Sequence, residues 1–146
     1  MKKNFLYFIS VCGLILTLVG CGGENETTEG EVSSQSTIDG VIDLYVKAIH
    51  TEDTDLLLTT IHPFSAQHIE LRGYYDNDFA QFDYDVKKVS TNVVEESETS
   101  AIVELVFSKT LVEEKGEGKN ELAEGEFTQK LTLKTQAEEW VIDKVE

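Results

Sequence analysis

At 146 residues, with 40% of positions hydrophobic, the chain is long enough for one single-core domain and no more. Its 12 basic residues stand against 28 acidic ones, a formal charge of −16. That balance argues against nucleic acid, anionic membrane surface and other polyanions as electrostatic partners.

The N-terminus divides into three parts. Lys2 and Lys3 form a short positive segment, and residues 5–19 are an apolar run broken only by Ser10, Gly13 and Thr17. The run has the length of a secretory hydrophobic region and falls short of the ~20 residues that a membrane-spanning helix needs. A buried helix of a folded domain would show a polar face, and this run has none. Leu18-Val19-Gly20-Cys21 closes it and resembles the lipobox of bacterial lipoprotein signal peptides. The resemblance implies cleavage before Cys21 and a diacylglyceryl group on its sulfur. Residues 1–20 would be the signal peptide, and the mature chain would sit on the extracytoplasmic face of a cell membrane, with a Gram-positive envelope preferred. Two acyl chains anchor stably where one binds only marginally. Cys12 leaves with the signal and Cys21 is blocked, so neither a disulfide nor a reactive thiol is expected. The mature chain keeps ten basic and 28 acidic residues, a formal −18.

Residues 22–36 read GGENETTEGEVSSQS, with Val32 the one large apolar side chain. Such a segment buries too little apolar surface to offset its ordering entropy, so residues 21–36 are expected to be a lipidated, disordered acidic tether. Its reach is roughly 20 Å on average and at most about 50 Å.

Residues 37–146 carry the domain. Ser36 with Asp39 fits a capping box ahead of Ile38, Val41, Ile42, Tyr45, Val46 and Ile49, which recur at helical spacing and predict a helix over about 38–50. Thr51–Thr54 supplies a turn and a new N-cap. Residues 55–61 predict a short leucine-rich helix, which Pro63 ends. Residues 65–72 read as a third short helix with Ile69 and Leu71 inward. After Phe79 the period becomes two. Phe82, Tyr84 and Val86 alternate with Asp83, Asp85 and Lys87, and the apolar phase then slips to Val89 and Val93, as at a β-bulge. Ala101, Val103, Leu105 and Phe107 line a second strand, residues 116–120 turn the chain, Phe127, Leu131 and Leu133 line a third, and Trp140 to Val145 forms a fourth. The expected class is α+β, two or three N-terminal helices on a curved antiparallel meander of about four strands.

The helix ending at Ile49-His50-Thr51-Glu52-Asp53, the short leucine-rich helix, the bulged strand and the closing Lys134 through Trp140-Val141-Ile142-Asp143-Lys144 resemble the NTF2-like superfamily over about 38–146. In particular they resemble the small NTF2-like lipoproteins of Gram-positive bacteria. That resemblance implies a cone-shaped sheet around the long helix, often with a pocket. Some members are isomerases or dehydratases and many only bind ligands or partners, so the fold alone does not choose.

An enzyme on this frame would need an acid or base facing the pocket. Tyr45 lies on the apolar stripe and points at the sheet, where a core tyrosine is the plainer reading. His50 and His62 stand at helix C-termini, where histidine favours the dipole. Asp83 and Asp85 face away from the apolar layer. His62-x5-His68-x-Glu70 matches no zinc spacing, and Asp76-Asn77-Asp78 begins like a calcium loop but lacks the glycine expected at its sixth place, Gln81. No catalytic set, cofactor motif or metal site is therefore assigned. The pocket candidates are Tyr45, His62, Tyr84 and Trp140, with Cys21 the lipidation site. The expected role is a non-enzymatic envelope module that binds a small molecule or another envelope protein; the alternative is a small isomerase- or dehydratase-like enzyme using Tyr45 or His62.

Overall fold

The structure is a computed structural model that describes residues 34–116 and 124–146. The segment expected to be a signal peptide, Cys21, most of the expected tether and most of the turn at 116–120 lie outside the described residues. Three helices, α1 (Ile38–His50), α2 (Thr54–Thr59) and α3 (Gln67–Gln81), precede four strands, β1 (Phe82–Glu96), β2 (Ser100–Glu114), β3 (Gly125–Gln136) and β4 (Glu139–Val145).

α1 forms where the apolar stripe predicts it, and Val41, Ile42, Tyr45, Val46, Ala48 and Ile49 are buried along one face. Its N-cap is Thr37 rather than Ser36: the Thr37 hydroxyl accepts the Gly40 N–H at 3.0 Å. Asp39 serves in the first turn, where a carboxylate favours the helix dipole. Asp53 caps α2 by accepting the Leu56 N–H at 2.8 Å. The preceding Glu52 adopts a left-handed φ of 55° to bend the chain between the helices, and its carboxylate pairs with Lys115.

α3 departs from expectation. It runs for 15 residues, Gln67–Gln81, instead of the short helix expected over 65–72, and Ile69 is 82% exposed. Leu71, Tyr75, Asp78 and Phe79 form the inward stripe, at spacings of three and four. Ile69 is two positions before Leu71, roughly 200° around the helix, so both cannot face the core. Gly73 and the run Asp76-Asn77-Asp78 are poor helix formers and disguise the element in the sequence. Burial of the Tyr75 and Phe79 rings, 5.2 Å apart, overrides that preference.

The strands follow one another as an antiparallel meander in the order β1-β2-β3-β4. The phase slip in β1 is a bulge between Lys88 and Ser90 that leaves Val89 unpaired, and a second lies between Val93 and Glu95. Lys88 still pairs with Asp43 of α1, and further along the strand Val89, Val93 and Val94 are exposed. α1 packs on the concave face against Val103, Leu105, Leu131, Leu133 and Ile142, all fully buried. Each such side chain contributes about 1.5–3 kcal/mol of burial. β4 also receives the chain after α2: His62 N–H donates to Ile142 O at 2.8 Å, and Ile142 N–H to Thr60 O at 2.7 Å. The last residues before α1 dock there too, since the Trp140 N–H donates to Gln35 O at 2.7 Å. The domain thus takes hold of the chain at Gln35, within the segment read as tether.

Candidate functional site

A cleft of about 650 Å³ opens between the helices and the concave face of the sheet. Its walls are Ile49 of α1, Leu71, Tyr74 and Tyr75 of α3, and Phe107 and Phe127 of β2 and β3. Phe107 and Phe127 oppose one another across the strand pair and stack at 5.7 Å. Lys109, Gln129 and Glu146 add polar groups to the lining.

The pleat places these groups. Lys109 continues the inward series Ala101, Val103, Leu105, Phe107, and Gln129 occupies the inward position between Phe127 and Leu131. A lysine turned toward the core needs its charge met. The Lys109 ammonium lies 3.3 Å from Asp78 of α3 and 3.8 Å from the centre of the Tyr84 ring. Both partners of the ion pair are close to dry, with side chains 11% and 6% exposed.

Beside that pair, the Tyr45 hydroxyl donates to Gln129 Oε1 at 3.3 Å and meets the Tyr75 hydroxyl at 3.2 Å. Burial pushes both phenols above their ordinary ionisation range; Tyr75 lies well above it, with the neighbouring Tyr45 raising it further. Tyr74, 58% exposed, is raised chiefly by partial burial and then by the Asp78 carboxylate. Two titratable groups therefore meet beside the cleft, but burial holds both in the uncharged, protonated form. They can serve as neutral hydrogen-bonding groups and are poor bases near pH 7.

Of the four candidate residues, Tyr45 lies at this cleft and reaches two of its lining side chains. Tyr84 is buried on β1 beneath Lys109, with Phe82 beside it at 5.8 Å, and does not itself line the cleft. His62 sits at the end of the α2 region, where its Nδ1 accepts the Phe64 N–H at 3.2 Å, and Trp140 is half-buried at the start of β4. Neither lines the cleft. His50 accepts the Val86 N–H at Nδ1, 3.2 Å away, so that nitrogen carries no proton there. Its 3.6 Å separation from Asp85 is then proximity and not an ion pair through Nδ1. The Asp85 carboxyl is held below the usual range chiefly by its hydrogen bond to Lys87. Among the described residues, no three His, Cys, Asp or Glu side chains come together as a metal set, and no helix is long and apolar enough to cross a membrane. Tyr75, Asp78, Lys109 and Gln129 are the site residues that sequence reasoning passed over. The available signal was a polar residue at an inward strand position, at Lys109 and at Gln129.

Solved structures share this architecture at low identity. A provisionally assigned aromatic ring hydroxylase from Novosphingobium aromaticivorans aligns with a TM-score of 0.58 and 14% identity over 80% of this chain and 89% of that one. A provisionally assigned scytalone dehydratase from the same organism gives 0.59 and 12%, over 74% and 78%. An NTF2-like protein of unknown function from Shewanella oneidensis gives 0.52 and 12%, over 74% and 93%. At such identities the likeness fixes the fold, which is NTF2-like, and leaves activity open. No curated protein matches the chain. Residues 40–146 do match the family model of the C-terminal domain of the anti-sigma-I factor RsgI9, and over that span, which is most of its length, the chain belongs to that family.

Proposed function

We propose that this protein is a lipid-anchored binding module on the extracytoplasmic face of a cell membrane, and that it captures a small molecule in the cleft between α1, α3 and the sheet. The observation that carries the reading is the cleft itself: about 650 Å³ with aromatic walls and the polar side chains of Lys109, Gln129 and Glu146 set among them. That is the size and lining of a small-molecule site. Membership in a family defined on a domain of an anti-sigma-I factor, a regulator, suits recognition better than turnover. The anchor rests on the Leu18-Val19-Gly20-Cys21 segment. A small enzyme of isomerase or dehydratase type is the second reading, favoured by the meeting of the Tyr45 and Tyr75 hydroxyls. The upward shift of both phenols weighs against it.

Two experiments test the proposal. Nile red, an uncharged aromatic dye, should bind the full chain at one saturable site, and Leu71→Trp, which sets a bulkier ring into the cleft wall, should weaken that binding without lowering Tm. Binding unchanged in Leu71→Trp would count against the cleft. Cys21→Ser should leave unlipidated chain that no longer partitions with membranes; if the variant stays membrane-bound as tightly as the parent, Cys21 is not the anchor.

A further inference from the structure

The polar floor of the cleft has a proton inventory that limits what can bind. A phenol carries one proton, and the Tyr45 proton goes to Gln129 Oε1. The Tyr45–Tyr75 hydrogen bond must then use the Tyr75 proton. Tyr75 and Gln129 both line the cleft, and each keeps unused hydrogen-bonding capacity: the lone pairs of Tyr75 Oη, which accept, and the Nε2 amide protons of Gln129, which donate. Turning the Gln129 amide over exchanges the roles, because Nε2 would then donate to Tyr45, Tyr45 to Tyr75, and the Tyr75 proton would face outward. Either way the floor presents one donor beside one acceptor.

Charge narrows the ligand further. The Lys109 ammonium is already met by Asp78 at 3.3 Å and by the Tyr84 ring, so it offers little to an anion. Burial keeps the Tyr45 and Tyr75 hydroxyls protonated, so the floor carries no charge for a cation. Glu146, also in the lining, is paired with Lys144 at 2.7 Å. Phe107, Phe127, Tyr74 and Leu71 take a flat apolar body.

We infer that the cleft recognises a neutral ligand whose polar end is a carboxamide, its N–H bonded to one of Tyr75 and Gln129 and its carbonyl oxygen to the other, with an aromatic body against Phe107 and Phe127. The inference rests on the proposal that the cleft is a binding site and names the chemistry it selects. A carboxamide presents a donor and an acceptor side by side, matching both groups at once. An anionic carboxylate would set its lone pairs against one acceptor, and an ammonium would leave a donor without a partner.

The test uses three probes of one shape and different charge: benzamide, benzoate and benzylamine. Each is titrated into the full chain, with the NMR resonances of the Gln129 side-chain amide and of the lining residues followed. Benzamide should shift the Gln129 amide saturably and bind at least about tenfold more tightly than the two ions, and Tyr75→Phe and Gln129→Glu should each weaken it about tenfold. Gln129→Glu keeps an acceptor for Tyr45 while removing the donor, so its core contacts are preserved. Preference for benzoate or benzylamine, or benzamide affinity unchanged in both variants, overturns the carboxamide assignment and leaves cleft binding standing. Silence of all three probes at the lining resonances counts against the assignment and the binding site together.

Discussion

Lys109 on β2 and Asp78 on α3 lie 3.3 Å apart in a nearly dry position at the cleft wall, and they are the one strongly buried ion pair among the described residues. Removing one partner strands the other's charge away from water, so Asp78→Ala should cost about 3–5 kcal/mol of stability. Replacing both, as Asp78→Leu with Lys109→Met, should recover most of that loss, because an apolar pair of similar volume carries no desolvation cost. Urea unfolding of the two single variants and the double variant measures the coupling. A loss under about 1 kcal/mol for Asp78→Ala would mean that water reaches the pair.

The buried phenols make stability depend on alkaline pH. Below about pH 10 the tyrosines are neutral in folded and unfolded chains alike, and the full contribution is present. Above it the unfolded chain releases these protons while native Tyr45 and Tyr75 hold theirs, so stability falls as pH climbs toward their raised values. The loss approaches about 1.4 kcal/mol per pH unit for each buried phenol. Tyr45→Phe/Tyr75→Phe should flatten the alkaline limb of a Tm-against-pH curve. An equally steep limb in that double variant would place the effect elsewhere.

Gly40 is set by close approach. A Cβ there would lie 1.8 Å from the Ser34 carbonyl oxygen and 2.9 Å from the Thr37 hydroxyl that caps α1. Alanine is better by about 1 kcal/mol in an unobstructed helix, so propensity alone predicts stabilisation. The overlap reverses the sign, and Gly40→Ala should cost about 1–3 kcal/mol. It should also speed hydrogen exchange at the Trp140 amide, which Gln35 O holds at 2.7 Å. A stabilised variant with a protected Trp140 amide would show that the segment before α1 does not dock.

The β3–β4 hairpin turns on Ala137 and Glu138, which both adopt positive φ, 52° and 71°. Gln136 and Glu139 pair across them, giving the two-residue turn that favours asparagine and glycine. Ala137→Asn with Glu138→Gly should therefore stabilise the fold, by about 1–2 kcal/mol. A lower Tm in that variant would contradict this turn geometry.

The sequence was most legible where one period dominates. α1 needs only its stripe from Val41 to Ile49, and the bulge at Val89 shows in the phase slip after Val86. α3 was hidden because Gly73 and Asp76–Asp78 lower its intrinsic preference while its burial is supplied by rings at Tyr75 and Phe79. Tyr45 could be placed from its stripe. Its partners could not: Tyr75 lies on a helix whose length its polar sequence conceals, and Gln129 comes from a strand 84 residues away. Lys109 and Gln129 occupy inward strand positions, a pattern visible in the sequence, but only the folded neighbours Asp78 and Tyr45 explain why a polar residue is tolerated there.

On this reading, the space between α1, α3 and the sheet receives a small molecule. The reading is tested most directly by recording backbone amide spectra of the full chain while small aromatic fragments are added, and mapping each perturbation onto the fold. Saturable shifts should cluster at Leu71, Tyr74, Tyr75, Phe107, Phe127 and Gln129, and should weaken in Leu71→Trp. Perturbations confined to the exposed outer end of β1 near Val89 and Val93, or spectra unchanged at every lining position, would contradict it.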